Sequence, residues 1–174
     1  SALMSRYNAD LSDVTVAPCE LIENNGNTLF NIVIDQAKVW GVEDDCLEWI
    51  REDVVWLNTL VDRIVASPSN QYNGVQTETL DVMTEPYALW AIQSSNKGGL
   101  PFEHDSIESC DNLSQVTLCK LRILNGAHTA LVQALLSEND STVREVLDDP
   151  VILQWLKDLL YGEIAPTISS RASD

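Results

Sequence analysis

Lys120, Asn125 and His128 stand close together in the run CKLRILNGAHTALV, residues 119–132. A lysine amine gives or takes a proton when burial draws its pKa toward neutrality. An asparagine amide can donate to an oxygen on which negative charge builds. A histidine can orient a hydroxyl group. Gly126, among the three, removes a side chain where a ligand could come close. Each type also has an ordinary role: a surface lysine with its stem on apolar atoms, a solvated mid-helix asparagine, a satisfied structural histidine. If the run is helical, each residue turns about 100°. With Lys120 at zero, His128 then falls near about 80° and Asn125 near about 140°, one broad arc. Leu121, Leu124, Leu131 and Leu135 supply apolar surface elsewhere on that helix.

The elements that must carry these groups follow from pattern. DVTVAP, 13–18, alternates with β-branched residues and stops at Pro18, which predicts a short strand. NNG at 24–26 marks a turn. TLFNIVIDQAKVWG, 28–41, has helical spacing and ends on Gly41; DDCLEWIRED, 44–53, is a second amphipathic helix. VVWLNTLVDRIV, 54–65, reads as strand or buried irregular chain. Residues 66–78 read as a loop, and 79–93 as two strand-like runs broken at Glu85-Pro86. SSNKGGLPFEHD is a further loop. Helices are expected at 115–137, 141–147 and 150–161, with Asp140 or Ser141 as a cap and Pro150 in a first turn. The tail APTISSRASD is expected to fray. Trp40, Trp49, Trp56, Trp90 and Trp155 read as mostly core, Trp90 having the best claim to line a cleft.

Bulk properties narrow the partners. The 174-residue chain is 45% hydrophobic, enough for a real core. Its 27 acids against 10 bases give a net charge of −17, which repels nucleic acid and anionic membranes. An anion site here must therefore be built locally. No apolar run is long enough to span a membrane. SALMSRYNAD lacks a basic stretch followed by an apolar one, so no secretory leader is expected and the cytoplasm is the expected location. Cys19, Cys46, Cys110 and Cys119 include no CxxC pair, and there are only two histidines, so neither a disulfide frame nor a zinc site is expected. Cys19 and Cys119 read as small buried residues. No GxGxxG and no P-loop is present.

KLRILNGAHTALV resembles the signature helix of the long-chain mannitol dehydrogenase family, which includes mannitol 2-dehydrogenases, fructuronate reductases and tagaturonate reductases. PCELIENNG (18–26), NTLVDRIV (58–65), TEPYALW (84–90), GLPF (99–102) and DDPVI (148–152) resemble its tagaturonate reductase branch in order and rough spacing. The resemblance covers most of residues 12–165. It implies a mainly α fold: the helical C-terminal substrate domain of a 6-phosphogluconate-dehydrogenase-like two-domain enzyme, with residues 1–26 a β remnant of the dinucleotide-binding domain and 27–174 the substrate domain. It implies an NAD-dependent interconversion of a keto sugar acid, tagaturonate-like, and its hydroxy form, without a metal. Lys120, Asn125 and His128 then match the family's catalytic lysine, asparagine and histidine. Arg63, Glu85, Trp90 and Arg122 are the expected substrate-side residues, and Glu20 and Asn25 the cofactor-side ones.

Some positions depart from the family pattern. Leu21 stands where mannitol dehydrogenases carry a second oxyanion asparagine, and Thr117 where they often carry an acid. Family members are longer, with a Rossmann domain before VTVAPCELIENNG and helices after this chain's last residue, so a fragment, inactive alone, is expected. Two other readings stand beside the first: a mannitol- or fructuronate-type polyol dehydrogenase, and a non-catalytic helical interaction module. Arg63, Arg122 and Arg144 are the cations available to a substrate carboxylate; Arg63 could equally pair with a neighbouring acid.

Overall fold

A computed structural model describes residues 2–11, 14–66, 82–134 and 143–169. It divides into two compact units, Ser1–Leu113 and Ser114–Asp174. The division thus falls well past residue 26: the helices and β-rich stretch of 27–113 belong with the N-terminal residues.

In the first unit, α1 (Ala2–Asn8) precedes β1 (Thr15–Val16), α2 (Asn25–Val39) and α3 (Asp44–Glu52). Then come β2 (Val55–Trp56), β3 (Thr59–Asp62), β4 (Val65–Ala66), β5 (Met83–Thr84), β6 (Leu89–Gln93) and β7 (Ile107–Cys110). The strands make this unit mixed α and β rather than mainly α. β1 pairs in parallel with β2, Thr15 opposite Val55. The strand expected over 13–18 is shorter than its alternation suggests, because only Thr15 and Val16 find a partner. β6 is central in a three-stranded sheet, antiparallel to β3 and parallel to β7. β4 and β5 form a small antiparallel pair. The break between β5 and β6 falls at Glu85–Ala88, around Pro86, which cannot donate to a ladder. β7 was not expected: its burial pattern is mixed, and only its pairing with β6 makes it a strand.

The α2 and α3 faces carry Ile34, Ala37, Cys46, Leu47 and Ile50, which form the core of this unit with Phe30, Val33, Tyr7, Trp49 and Trp56 packed around them. Phe30 meets Trp56 nearly edge-on, ring centroids 5.5 Å apart. Trp40 and Trp155 are exposed instead of buried, Trp40 because it lies one residue beyond the end of α2, before Gly41 turns the chain at φ +67°. Cys19 and Cys119 are also exposed; Cys46 is the buried thiol, because it lies on the inner face of α3.

The turn into α2 is held by one side chain. The Asn25 amide donates to the carbonyls of Pro18, Glu20 and Thr59 at 2.9, 3.0 and 3.0 Å. Its Oδ1 accepts from the N–H groups of Gly26 (2.8 Å) and Thr59 (2.9 Å). The Thr59 hydroxyl donates to the Pro18 carbonyl as well. Gly26 lies so close to the β2–β3 link that a Cβ there would sit 2.3 Å from the Leu57 carbonyl oxygen. Only glycine permits that approach.

The second unit continues one helical rod through α4 (Leu113–Cys119, beginning at the unit boundary), a π-helical turn π1 (Lys120–Asn125) and α5 (Gly126–Ala134). After α6 (Val143–Leu147), a second rod runs through α7 (Pro150–Leu159), a π-helical turn π2 (Leu160–Ile164) and α8 (Ala165–Ser169). Asp149 caps α7, its Oδ1 accepting from Val151 N–H at 2.7 Å, and Pro150 takes the first turn. The caps expected at Asp140 or Ser141 lie outside the described residues, as does Leu135. The expectation of a frayed tail is corrected for 165–169: the helix continues there, with Pro166 in a first-turn position and the Thr167 hydroxyl donating to the Ile164 carbonyl at 2.8 Å. Leu131, Val146 and Leu156 are the buried centre of this unit, and π1 and π2 pack against each other.

Candidate functional site

In the second unit, the two flanking α-helices fix where π1 begins and ends. Lys120 opens the turn and is half-buried; Asn125 closes it and is exposed; His128, one turn into α5, is half-buried. His128 Nδ1 lies 2.9 Å from the Leu124 carbonyl oxygen. A carbonyl only accepts, so Nδ1 carries the hydrogen and the neutral ring presents Nε2 as an acceptor. The Thr129 hydroxyl donates to the Asn125 carbonyl at 2.9 Å. Gly126 leaves open space: a Cβ there would meet only the Leu121 carbonyl oxygen, at 3.5 Å. Arg122 is exposed on the same turn. An amine, an amide and an imidazole acceptor on one short helical stretch can together take a proton from a hydroxyl and hold the oxygen left behind.

In the first unit, Arg63 and Trp90 line a cavity of about 400 Å³ together with Cys19, Val61, Asp62, Phe102 and His104 among others. Arg63, at the end of β3, donates through Nε (3.1 Å) and one terminal nitrogen (3.0 Å) to the Glu85 carbonyl. Three of its five N–H donors lie beyond those two bonds. Glu85 is structural: its Oε1 accepts from the Ile64 N–H at 2.8 Å, which ties β4 to the break before β6. Trp90, on β6, is half-buried against Phe102, ring centroids 6.4 Å apart. Its indole nitrogen is buried with no acceptor among the described residues.

Sequence reasoning passed over Asp62, Phe102 and His104 in this wall. Asp62 and Arg63 are neighbours in VDRIV, and GLPFEHD reads as a loop whose GLPF carries only the family resemblance. The pairing of β6 with β7 is what turns that loop inward. His104 Nδ1 accepts from the Ser106 N–H at 3.1 Å, so its Nε2 bears the hydrogen. Burial, then the neighbouring charges of Asp62, Glu108 and Glu85, raise the Tyr87 phenol above its usual value. Burial and Glu20 likewise raise the Cys19 thiol, so it stays protonated at neutral pH and is a poor nucleophile.

The two cofactor-side residues are not brought together as a site. Both hydrogens and both lone pairs of the Asn25 amide are engaged by the fold, so the cofactor contact expected of it has no polar atom to use. Glu20 is exposed, and its backbone carbonyl accepts from the Asn25 amide and from the Ile22 N–H. Arg144 lies on α6, in the second unit. Among the described residues, no three His, Cys, Asp or Glu side chains gather to hold a metal ion, and no helix is long and apolar enough to cross a membrane.

Residues 1–104 match the family model described as the mannitol dehydrogenase Rossmann domain. That match reaches far past residue 26, so the expectation of a helical C-terminal substrate domain over 27–174 does not hold. An altronate oxidoreductase of Bacillus subtilis (strain 168) is 36% identical over 95% of this chain, and one of Enterobacter sp. (strain 638) is 30% identical over 88%. The chain spans 38% and 34% of the lengths of those two relatives. Among solved structures, a substrate-free D-sorbitol dehydrogenase superposes with a TM-score of 0.73 at 25% identity, covering 95% of this chain and 35% of that one. A Pseudomonas fluorescens mannitol 2-dehydrogenase, in a ternary complex with NAD and D-mannitol, gives 0.65 at 22% identity over the same shares, a likeness of fold.

Proposed function

Since the chain belongs to the mannitol dehydrogenase family, we propose that it serves an NAD-dependent oxidoreductase acting on an open-chain sugar acid of the altronate–tagaturonate type. The observation that carries this is the joint placement of Lys120, Asn125 and His128 on one helical stretch, with His128 Nδ1 donating to the Leu124 carbonyl. The altronate oxidoreductase relatives favour a sugar acid over a neutral polyol.

In this reading the Lys120 amine takes the hydroxyl proton when the alcohol is oxidised and returns it on reduction. The Asn125 amide donates to the oxygen as it gains negative charge. His128 accepts, at Nε2, a hydrogen bond from the reacting or adjacent hydroxyl. Arg122, on the same turn, is the cation for a substrate carboxylate; in the first unit, Arg63, held by the Glu85 carbonyl, and Trp90 are separately proposed as substrate-side residues. NAD takes up or delivers the hydride. No Gly-rich turn opens onto a helix N-terminus among the described residues to cradle its pyrophosphate. The residues of this chain therefore account for the proton and oxygen chemistry alone, and the chain by itself is expected to be inactive. Residues 114–174 are the proposed catalytic part.

A hexitol is the second reading, favoured by the likeness to the D-sorbitol dehydrogenase. One experiment separates the two. The His128 ring nitrogens are followed by NMR while tagaturonate, altronate, mannitol and sorbitol are added in turn. A saturable shift at Nε2 with the sugar acids, absent in Lys120→Ala, is expected. A response to hexitols alone would replace the substrate class, and a response to none would sink the assignment of a substrate site to this helix.

A further inference from the structure

We infer that the π-helical turn Lys120–Asn125 is the device that puts Lys120, Asn125 and His128 on one narrow face, and that an ordinary α-helix of the same sequence would not. The inference rests on the proposed role of these three residues, but its geometry can be tested without it.

The bond that defines the turn is visible at its end: the Gly126 N–H, shared with the Ile123 carbonyl, also reaches back five residues to the Leu121 carbonyl. Such a wide turn advances only about 82° per residue, against about 100° in an α-helix. Over the five steps from Lys120 to Asn125 the chain then rotates about 410°, leaving Asn125 about 50° from Lys120. Three α steps further, His128 falls within about 10° of Lys120. The trio thus occupies an arc of about 60°. The α-helical arc is about 140°, which carries the Asn125 amide round toward the far side of the rod. Wide turns of this kind are frequent at functional sites.

The same turn sets the chemistry of its last residues. The Leu124 and Asn125 carbonyls lie where helical bonding changes from five-residue to four-residue spacing. They accept from His128 Nδ1 and the Thr129 hydroxyl, each at 2.9 Å. The backbone that aligns His128 with Lys120 is therefore also the backbone that fixes which ring nitrogen is protonated. The π2 turn of the second rod packs against π1, which gives the wide turn a neighbour that an isolated helix lacks.

The test uses thiol bridging. In a Cys19→Ser, Cys110→Ser, Cys119→Ser background, the pair Lys120→Cys, Asn125→Cys is treated with dibromobimane, which becomes fluorescent on joining two adjacent thiols. A control pair Ala127→Cys, Val132→Cys has the same five-residue separation but lies wholly in α5. Positions that face each other on a helix have Cβ atoms about 5–6 Å apart, so the first pair is expected to bridge about tenfold faster than the control. Equal rates would overturn the inference. A second measurement needs no substitution: scalar coupling across the hydrogen bond of the Gly126 N–H identifies its carbonyl partner in the native chain. Coupling to Leu121 supports the wide turn, and coupling to Arg122 refutes it. Neither outcome depends on any sugar binding, so failure of the substrate assignment and failure of this inference are read separately.

Discussion

Replacing Asn25 with Ala tests whether this residue belongs to the fold or to a cofactor site. The substitution removes two donor hydrogens and one acceptor oxygen from a buried position. Two backbone N–H groups, of Gly26 and Thr59, lose their acceptor. The Pro18 carbonyl keeps the Thr59 hydroxyl, but the Glu20 and Thr59 carbonyls lose the amide. Each buried group left unsatisfied costs about 1–3 kcal/mol. Water entering the gap offsets part of this, and a net loss of about 3 kcal/mol is expected. The clamp joins the start of α2 to β3, so the loss should appear as unfolding of the first unit. Four of the five tryptophans lie there, so urea unfolding followed by tryptophan fluorescence reads it directly. With a slope of about 2 kcal/mol per molar, the midpoint should fall by about 1.5 M. Asn25→Asp, which keeps the acceptor but places a carboxylate against three carbonyls, should fare no better. A midpoint within about 0.3 M of the parent for Asn25→Ala would refute the structural account, because surface substitutions change stability by about 0.5 kcal/mol or less.

Other perturbations follow from the same geometry. Gly26→Ala should destabilise the first unit by about 2–4 kcal/mol in the same urea assay, since its Cβ would collide with backbone atoms of Leu57 and Asn58 that cannot rotate away. Asp149→Ala removes the acceptor for Val151 and Ile152 N–H and should cost about 1 kcal/mol. That loss should be read by circular dichroism and leave the thermal unfolding of the first unit unchanged. Burial, with Glu43 second, raises the Cys46 thiol above its unfolded value; burial, with Asp45 next, raises the Tyr7 phenol likewise. Groups with raised folded pKa values contribute stability below their unfolded pKa and lose it as pH rises through the folded one. Unfolding midpoints of the first unit should therefore fall in the alkaline range, and Cys46→Ala should shallow the fall; a pH-independent midpoint up to pH about 11 would contradict it.

The sequence by itself determined the local elements and the chemical types. Periodicity and Gly41 marked α2, Pro86 marked the break before β6, and Pro150 marked the start of α7. The types at Lys120, Asn125 and His128, and the motifs around them, pointed to the family without any contact being known. These signals are local, because they depend on backbone dihedrals and on side chains a few residues apart. What only the tertiary structure decided was set by partners distant in the chain. Asn25 looked like a cofactor residue until Pro18 and Thr59 were seen to consume its amide. His104 looked like part of a loop until β7 paired with β6 and turned it into a cavity wall. The wide turn at 120–125 has no signature in composition, since residues of ordinary helical propensity occupy it. It is seen only in the folded chain, where a second rod packs beside it.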